Sequence, residues 1–376
     1  MRVLVVGAGV MGLAAAEALL QAGHSVAVFE QGTVPNALGS SVDEHRLIRF
    51  PYGDKTGYGR MVAPAYAAWE RLWQRFGQSL YVETGTLVVS RERGGWLDHS
   101  AACLAEIGRP VDLLDAATLR TRFPLLRIDD ADRGFHLASG GILLARRIVE
   151  RLAARVAMLG GSLNTRRRVR ELDADAGRLT LDGGGTVSGD LLIVTAGPWL
   201  PDLLADFARR VTPSRQAYAY LTPPPDSAAA WAAHPMVLDI GSEAGFYLVP
   251  PAAGTGLKIG DHAFSLAGHP DRDREGHEAD VAESLAMAGQ RLAGFENFQV
   301  QRIGTCFYTV EAEERFIAEE RGAVWVLTGF SGHGFKFAPL IAEALAEVVA
   351  GRQAATDFKS WISGVPGAMQ DSGAVS

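Results

Sequence analysis

The opening residues constrain the fold more than any other part of the chain. "VLVVGAGVMGLAAAEALLQAGHSVAVFE" reads as an apolar strand, a glycine turn, an alanine-rich helix and a second strand ending at Glu30. Gly7, Gly9 and Gly12 form GxGxxG at the strand-to-helix junction. The first glycine permits the tight turn, the second lets backbone approach a pyrophosphate, and the third packs helix on strand, so an anion meets the helix N-terminus. Glu30 closes the second strand, where a carboxylate accepts ribose hydroxyls and repels a 2′-phosphate. The pattern favours FAD or NAD over NADP and does not separate the first two.

The rest of the chain mixes helix and strand signals. Helical spacing runs from about Tyr58 to Phe76, a strand follows at 84–90, and a helix follows Leu144. Strand "LLIVTAG" leads to Pro198 at a helix start. From Pro213 to Val310 the texture is strand-like, interrupted by a helix from about Glu275 to Leu292. The end returns to strand "AVWVLTGF", a glycine turn and helix "APLIAEALAEVVAG", with "VPGAMQDSGAVS" as a loose tail. The expected fold is mixed α/β: a discontinuous Rossmann-like nucleotide-binding domain (1–79, 140–207 and 312–376) with an inserted β-rich substrate domain (80–139 and 208–311).

Bulk properties exclude several function classes. A net charge of -7, spread along the chain, gives no basic stripe for nucleic acid or anionic lipid, and no long uncharged apolar run suggests a membrane span. Cys103 and Cys306 are too few for a disulfide framework and lack zinc-ligand spacing, so no metal is expected and a reducing cytoplasm fits best. "AAGTGLKIG" and "GFSGHGFKF" lack the ending of a P-loop. The chain has four lysines, at 55, 258, 336 and 359, among 36 basic residues, which draws attention to each of them. Taken singly, Cys306 reads as a small buried hydrophobe. Lys258 reads as a solvated strand residue, and Arg46 and Arg49 as a solvated face or ion pair.

Several separated stretches point further: "GSSVDEHRLIRFPYGD", "LLIVTAGPW", "GLKIGDH", "CFYTVEAEERFI" and "GFSGHGFKFAP". With the N-terminal fingerprint, and in this order, they resemble the FAD-dependent amine oxidases of the D-amino-acid oxidase superfamily, most closely the monomeric sarcosine oxidase and N-methyltryptophan oxidase branch. The resemblance covers nearly the whole chain. It implies FAD bound by Gly7, Gly9, Gly12, Glu30, His45, Arg46, Ala196, Gly197, Trp199, Gly332, Gly334 and Lys336, with a thioether from Cys306 to the flavin 8α-methyl carbon. It implies that Arg49 and Lys336 bind a substrate carboxylate, that Lys258 promotes oxygen reduction, and that Tyr247, Tyr308 and His262 shape the pocket, with Arg46 near the flavin ring. The early loop departs from the family's two histidines after Gly-Ser, having "SVDEHR" instead, and the strand before Lys258 reads "FYLVPPAAGTG".

The expected function is therefore oxidation of a secondary amino acid to an imine by a monomeric enzyme, with oxygen reduced to hydrogen peroxide. A dehydrogenase using another acceptor, and a flavin-binding redox module without turnover, are the competing accounts. If Cys306 carries the flavin, acid precipitation of the purified protein leaves the yellow colour in the pellet, and Cys306→Ala releases it to the supernatant. Acid-stable colour in that variant would refute the attachment site.

Overall fold

The computed structural model describes residues 1–241 and 245–365, and the tail from 366 onward lies outside the described residues. Its largest two sheets meet around the site. The first has six strands in the spatial order Ile317–Arg321, Val324–Thr328, Leu191–Val194, Arg2–Val6, Ser25–Glu30 and Ser162–Thr165. Its inner pairs are parallel, with Val5 opposite both Ile193 and Val28. Parallel sheets need cover on both faces, which the alternation along Arg2–Val6 provides. Val3 and Val5 join the core under the helices Val10–Gln21, Ala145–Met158 and Ala338–Val349, while Leu4 and Val6 join Leu179, Leu192 and Phe207 on the other face.

The second sheet has seven strands: Gln299–Val310, Thr212–Thr222, Leu257–Asp261, Gly245–Val249, Met236–Ile240, Thr86–Ser90 and Arg133–Leu137. One face is apolar. Leu221, Val237, Leu248, Leu257 and Ile259 pack there against Val281 and Ala288 of the helix Glu278–Arg291. That helix begins three residues later than the sequence suggests, because the Asp280 carboxylate caps the His277 N–H at 2.8 Å. At its other end buried Arg291 bridges Asp132 at 2.6 Å and Asp239 at 2.8 Å, pinning the helix to the sheet. The opposite face presents Tyr218, Tyr220, Lys258 and Cys306, because successive side chains along a strand alternate between faces.

The long helix Thr56–Phe76 closes over the nucleotide half, ending at Gly77, whose φ of 69° is the left-handed cap that glycine adopts freely. Among the described residues no helix is long and apolar enough to cross a membrane, and no cluster of three or more His, Cys, Asp or Glu side chains could hold a metal ion.

Candidate active site

The fingerprint glycines are packed as a nucleotide turn requires. A Cβ on Gly12 would lie 2.0 Å from the Gly7 carbonyl oxygen, and one on Gly7, whose φ is +97°, would lie 2.5 Å from that of Thr195. Gly9 is more open, its nearest neighbour being Ser41 Oγ at 3.2 Å. Gly7 and Gly9 front a cavity of about 250 Å³ that Glu30, Arg46, Ala196, Gly197, Trp199, Gly332 and Gly334 also line, while Gly12 packs behind the turn. This cradle, floored by backbone and by the start of the helix Val10–Gln21, fits the diphosphate of a dinucleotide.

Glu30 has a second task that its sequence position does not reveal. Its carboxylate accepts the Ala8 N–H, the Gly32 N–H and the Asn36 amide, each at 2.9 Å. It therefore also fixes the turn and the loop behind it, keeping part of its acceptor capacity for a ligand hydroxyl.

A second cavity of about 400 Å³ adjoins the first and shares Arg46, Tyr308, Gly332 and Phe335 with it. Arg49, Tyr247, Lys258, His262 and Lys336 all line it, gathered from four separate stretches of chain. His45, expected beside the cofactor, lines this second cavity as well. The Lys336 Nζ donates to Tyr52 Oη at 2.7 Å, and the Arg49 guanidinium lies 5.3 Å from the centre of the same Tyr52 ring. Burial, reinforced by the charge of Arg49, pushes the Lys336 ammonium well below its ordinary pKa. The Lys336 carbonyl is anchored by the Trp69 indole at 2.7 Å, and His333 packs on Tyr58 and Phe316 beneath the glycine loop.

The tyrosines of the sheet face lie on glycines. A Cβ on Gly260 would fall 2.6 Å from the Tyr247 hydroxyl, one on Gly304 2.6 Å from the Tyr218 ring, and one on Gly332 2.5 Å from the Tyr308 ring. Cys306 is buried among Tyr218, Tyr220 and Tyr308 on this face and lines neither cavity. Burial raises its thiol pKa, with Arg46 and Lys258 pulling in the opposite direction.

Sequence reasoning missed the group that holds this site together. Asp43, whose side chain is fully buried, accepts from Lys258 Nζ, from Arg46 Nη1 at 2.9 Å, from Tyr220 Oη at 3.0 Å and from the Glu44 N–H at 2.8 Å. Burial opposes its ionisation, yet the Lys258 ammonium and Arg46 guanidinium outweigh burial and hold the carboxyl well below the usual carboxylate range. Next door, burial and the Lys258 charge hold the His45 imidazole down at about 3, so it is neutral. The available signal was Asp43 three residues before Arg46, within the loop that departs from the family pattern. Tyr52 and Tyr218 were missed too. Asp43→Ala strands two cations in the interior and should cost about 3–5 kcal/mol, read as a lowered urea midpoint. A loss below about 1 kcal/mol would place the cluster in contact with water.

The chain is 25% identical over 356 residues to the monomeric sarcosine oxidase of Bacillus sp. (strain B-0618), covering 92% of this chain and 91% of that one. It is 26% identical over 363 residues to the N-methyl-L-tryptophan oxidase of Yersinia pestis (strain Pestoides F), covering 91% and 93%. The open form of NikD, an unusual amino acid oxidase essential for nikkomycin biosynthesis, superposes with a TM-score of 0.80 at 23% identity, over 96% of each chain. Residues 2–348 match the FAD dependent oxidoreductase family. With its glycine cradle, terminal Glu30 and adjoining cation-lined cavity, the chain belongs to that family of FAD-dependent oxidoreductases.

Proposed function

We propose that this protein oxidises a secondary amino acid to an imine. The observation that carries the reading is a cavity next to the dinucleotide cradle in which Arg49 and Lys336 both face the interior, neither forming an ion pair among the described residues. Two basic side chains without counter-ions favour a small carboxylate, which Arg49 can grip in bidentate fashion. Sarcosine-like acids, cyclic imino acids and N-carboxymethyl amino acids are the candidate substrates.

FAD, when bound, accepts the two electrons of the amine carbon as a hydride equivalent and passes them to the final acceptor. The residues of this chain bind and orient. Gly7, Gly9, Gly12 and Glu30 hold the nucleotide end, while Ala196, Gly197, Trp199, Gly332 and Gly334 line the rest of the first cavity. Tyr247, Tyr308 and His262 bound the substrate's side chain. Lys258 places a cation where oxygen acquires negative charge on reduction. Cys306 is the proposed covalent anchor, supported by its place on the same sheet face as Lys258. The imine, once in water, hydrolyses, so an N-methyl substrate yields a primary amino acid and formaldehyde. The strands of the two large sheets, which fall in separate segments, support a division into FAD-binding segments 1–79, 140–207 and 312–376 around a substrate domain of 80–139 and 208–311; a cytoplasmic monomer belongs to the same proposal.

One observation favours a second reading. The Lys258 ammonium is paired with Asp43, which weakens its field at an incoming oxygen and suits a dehydrogenase with another acceptor.

Under nitrogen, N-alkyl amino acids should bleach the flavin spectrum; a panel that leaves it unchanged would refute the substrate class. Air should then restore the colour with one peroxide per turnover, and absence of peroxide would select the dehydrogenase. Lys258→Met should slow recolouring about 10²–10³-fold while sparing anaerobic bleaching. Arg49→Ala should weaken carboxylate binding by about 3–5 kcal/mol.

A further inference from the structure

An amino acid enters from neutral water as a zwitterion, yet its nitrogen lone pair must be free before the carbon beside it can lose a hydride equivalent. A proton has to leave the substrate ammonium, and the cavity must offer it a destination. The groups that face the substrate side are few. Arg49 keeps its proton under any ordinary condition. Tyr52, Tyr247 and Tyr308 are raised by burial and stay as hydroxyls, so they begin with no vacancy for a proton. His45 is neutral but lies against the charged Lys258 and Arg46, which disfavour a second positive charge there. His333 lines the cavity, but both its ring nitrogens are engaged, Nδ1 with Tyr52 Oη at 3.3 Å and Nε2 with the Glu314 carbonyl at 3.2 Å. Asp54, Asp261, His262 and the Lys55–Glu314 ion pair line the same cavity; burial holds the Asp261 carboxyl up at about 6, still well below an amine, burial and the charge of Arg49 lower the His262 imidazole, and the ion pair is partly exposed to solvent.

Among these groups Lys336 stands out, because its surroundings suit an uncharged amine. The residue is 4% exposed and has two acceptors for its Nζ, Tyr52 Oη at 2.7 Å and the His333 carbonyl at 3.3 Å. A neutral amine has two N–H bonds, which these acceptors satisfy, and one lone pair, which is left for the cavity that Lys336 lines. An ammonium would have a third N–H with no acceptor there. The contrast with Lys258 is direct: the latter is equally buried and sits on the Asp43 carboxylate.

From this geometry we propose that Lys336 is the base that frees the substrate amine, and that it becomes a carboxylate-binding cation as it takes up that proton. The inference rests on the amino-acid reading above. The N–H bond of the substrate ammonium breaks, its electron pair stays on the substrate nitrogen, and a new N–H bond forms at Lys336 Nζ. The products are a neutral secondary amine and a lysine ammonium beside the substrate carboxylate, with total charge unchanged. The carboxylate drives the transfer by favouring the charged form of Lys336, while Arg49 and the loss of water disfavour the charged form of the amine. Burial keeps the free Lys336 uncharged until then, in line with its lowered pKa.

Proton counting during binding tests this. Calorimetric titration of the FAD-loaded protein near pH 8, repeated in buffers of different ionisation enthalpy, gives the protons exchanged per ligand. Methoxyacetate, a carboxylate without an amine, should draw about one proton from solvent as Lys336 charges. 2-Aminoisobutyrate, a zwitterion with no hydrogen on its α carbon, should bind with about zero exchange, since it supplies its own proton. Lys336→Arg, charged at all times, should bind methoxyacetate without uptake, and its anaerobic bleaching should follow the titration of the substrate amine itself.

Methoxyacetate binding without uptake in the parent protein, or proton release on binding 2-aminoisobutyrate, would each overturn the proposal. Those results leave the carboxylate site intact. A cavity that binds neither acid would instead overturn the amino-acid reading and this inference with it.

Discussion

An uncompensated charge in a protein interior is among the least favourable things a fold can contain, and this fold gathers four basic side chains about one cavity, besides the partly exposed Lys55. Arg46 and Lys258 share Asp43, which thereby meets the desolvation of both with one carboxylate. Arg49 and Lys336 have no such partner among the described residues and lean on the Tyr52 ring and on backbone carbonyls. The site is thus divided electrostatically. One half is neutralised from within the chain, and the other is completed only by an anion from outside.

That division depends on the seven-stranded sheet having two unlike faces. Strand alternation sends Leu257 and Ile259 into the core under the helix Glu278–Arg291 and Lys258, from the same strand, towards the cavities. A one-residue slip of Leu257–Asp261 would bury Lys258 in an apolar cluster and set leucine against Asp43, a double cost that makes the register strongly specified. The Arg291 network with Asp132 and Asp239 fastens the covering helix, so the packing of the far face indirectly fixes the polar one.

The nucleotide half was legible in the sequence because its signals are local: GxGxxG, its flanking strands and Glu30 lie within thirty residues. The cations of the second cavity were found through motif resemblance, since residues 49, 258 and 336 share no periodicity that would place them together. Asp43 escaped because its importance is a matter of contact across 215 positions, with Lys258, and a carboxylate in a polar loop looks solvated until the fold folds over it. Gly304 escaped for a similar reason, as did the second task of Gly332: their lack of a side chain makes room for the rings of Tyr218 and Tyr308. Helix ends shifted by a few residues where a cap such as His277–Asp280 decided the matter.

The glycines under the tyrosines carry a consequence for how this cavity could diversify. Tyr247 and Tyr308 each rest on bare backbone, so the floor of the wall is main chain and its thickness is a single aromatic ring. Exchanging one such ring for a smaller side chain opens a slot with a rigid bottom and leaves the apolar core on the other face of the sheet untouched. The wall behaves like tiling on a fixed surface, in which each tile can be resized without disturbing the masonry that bears the load.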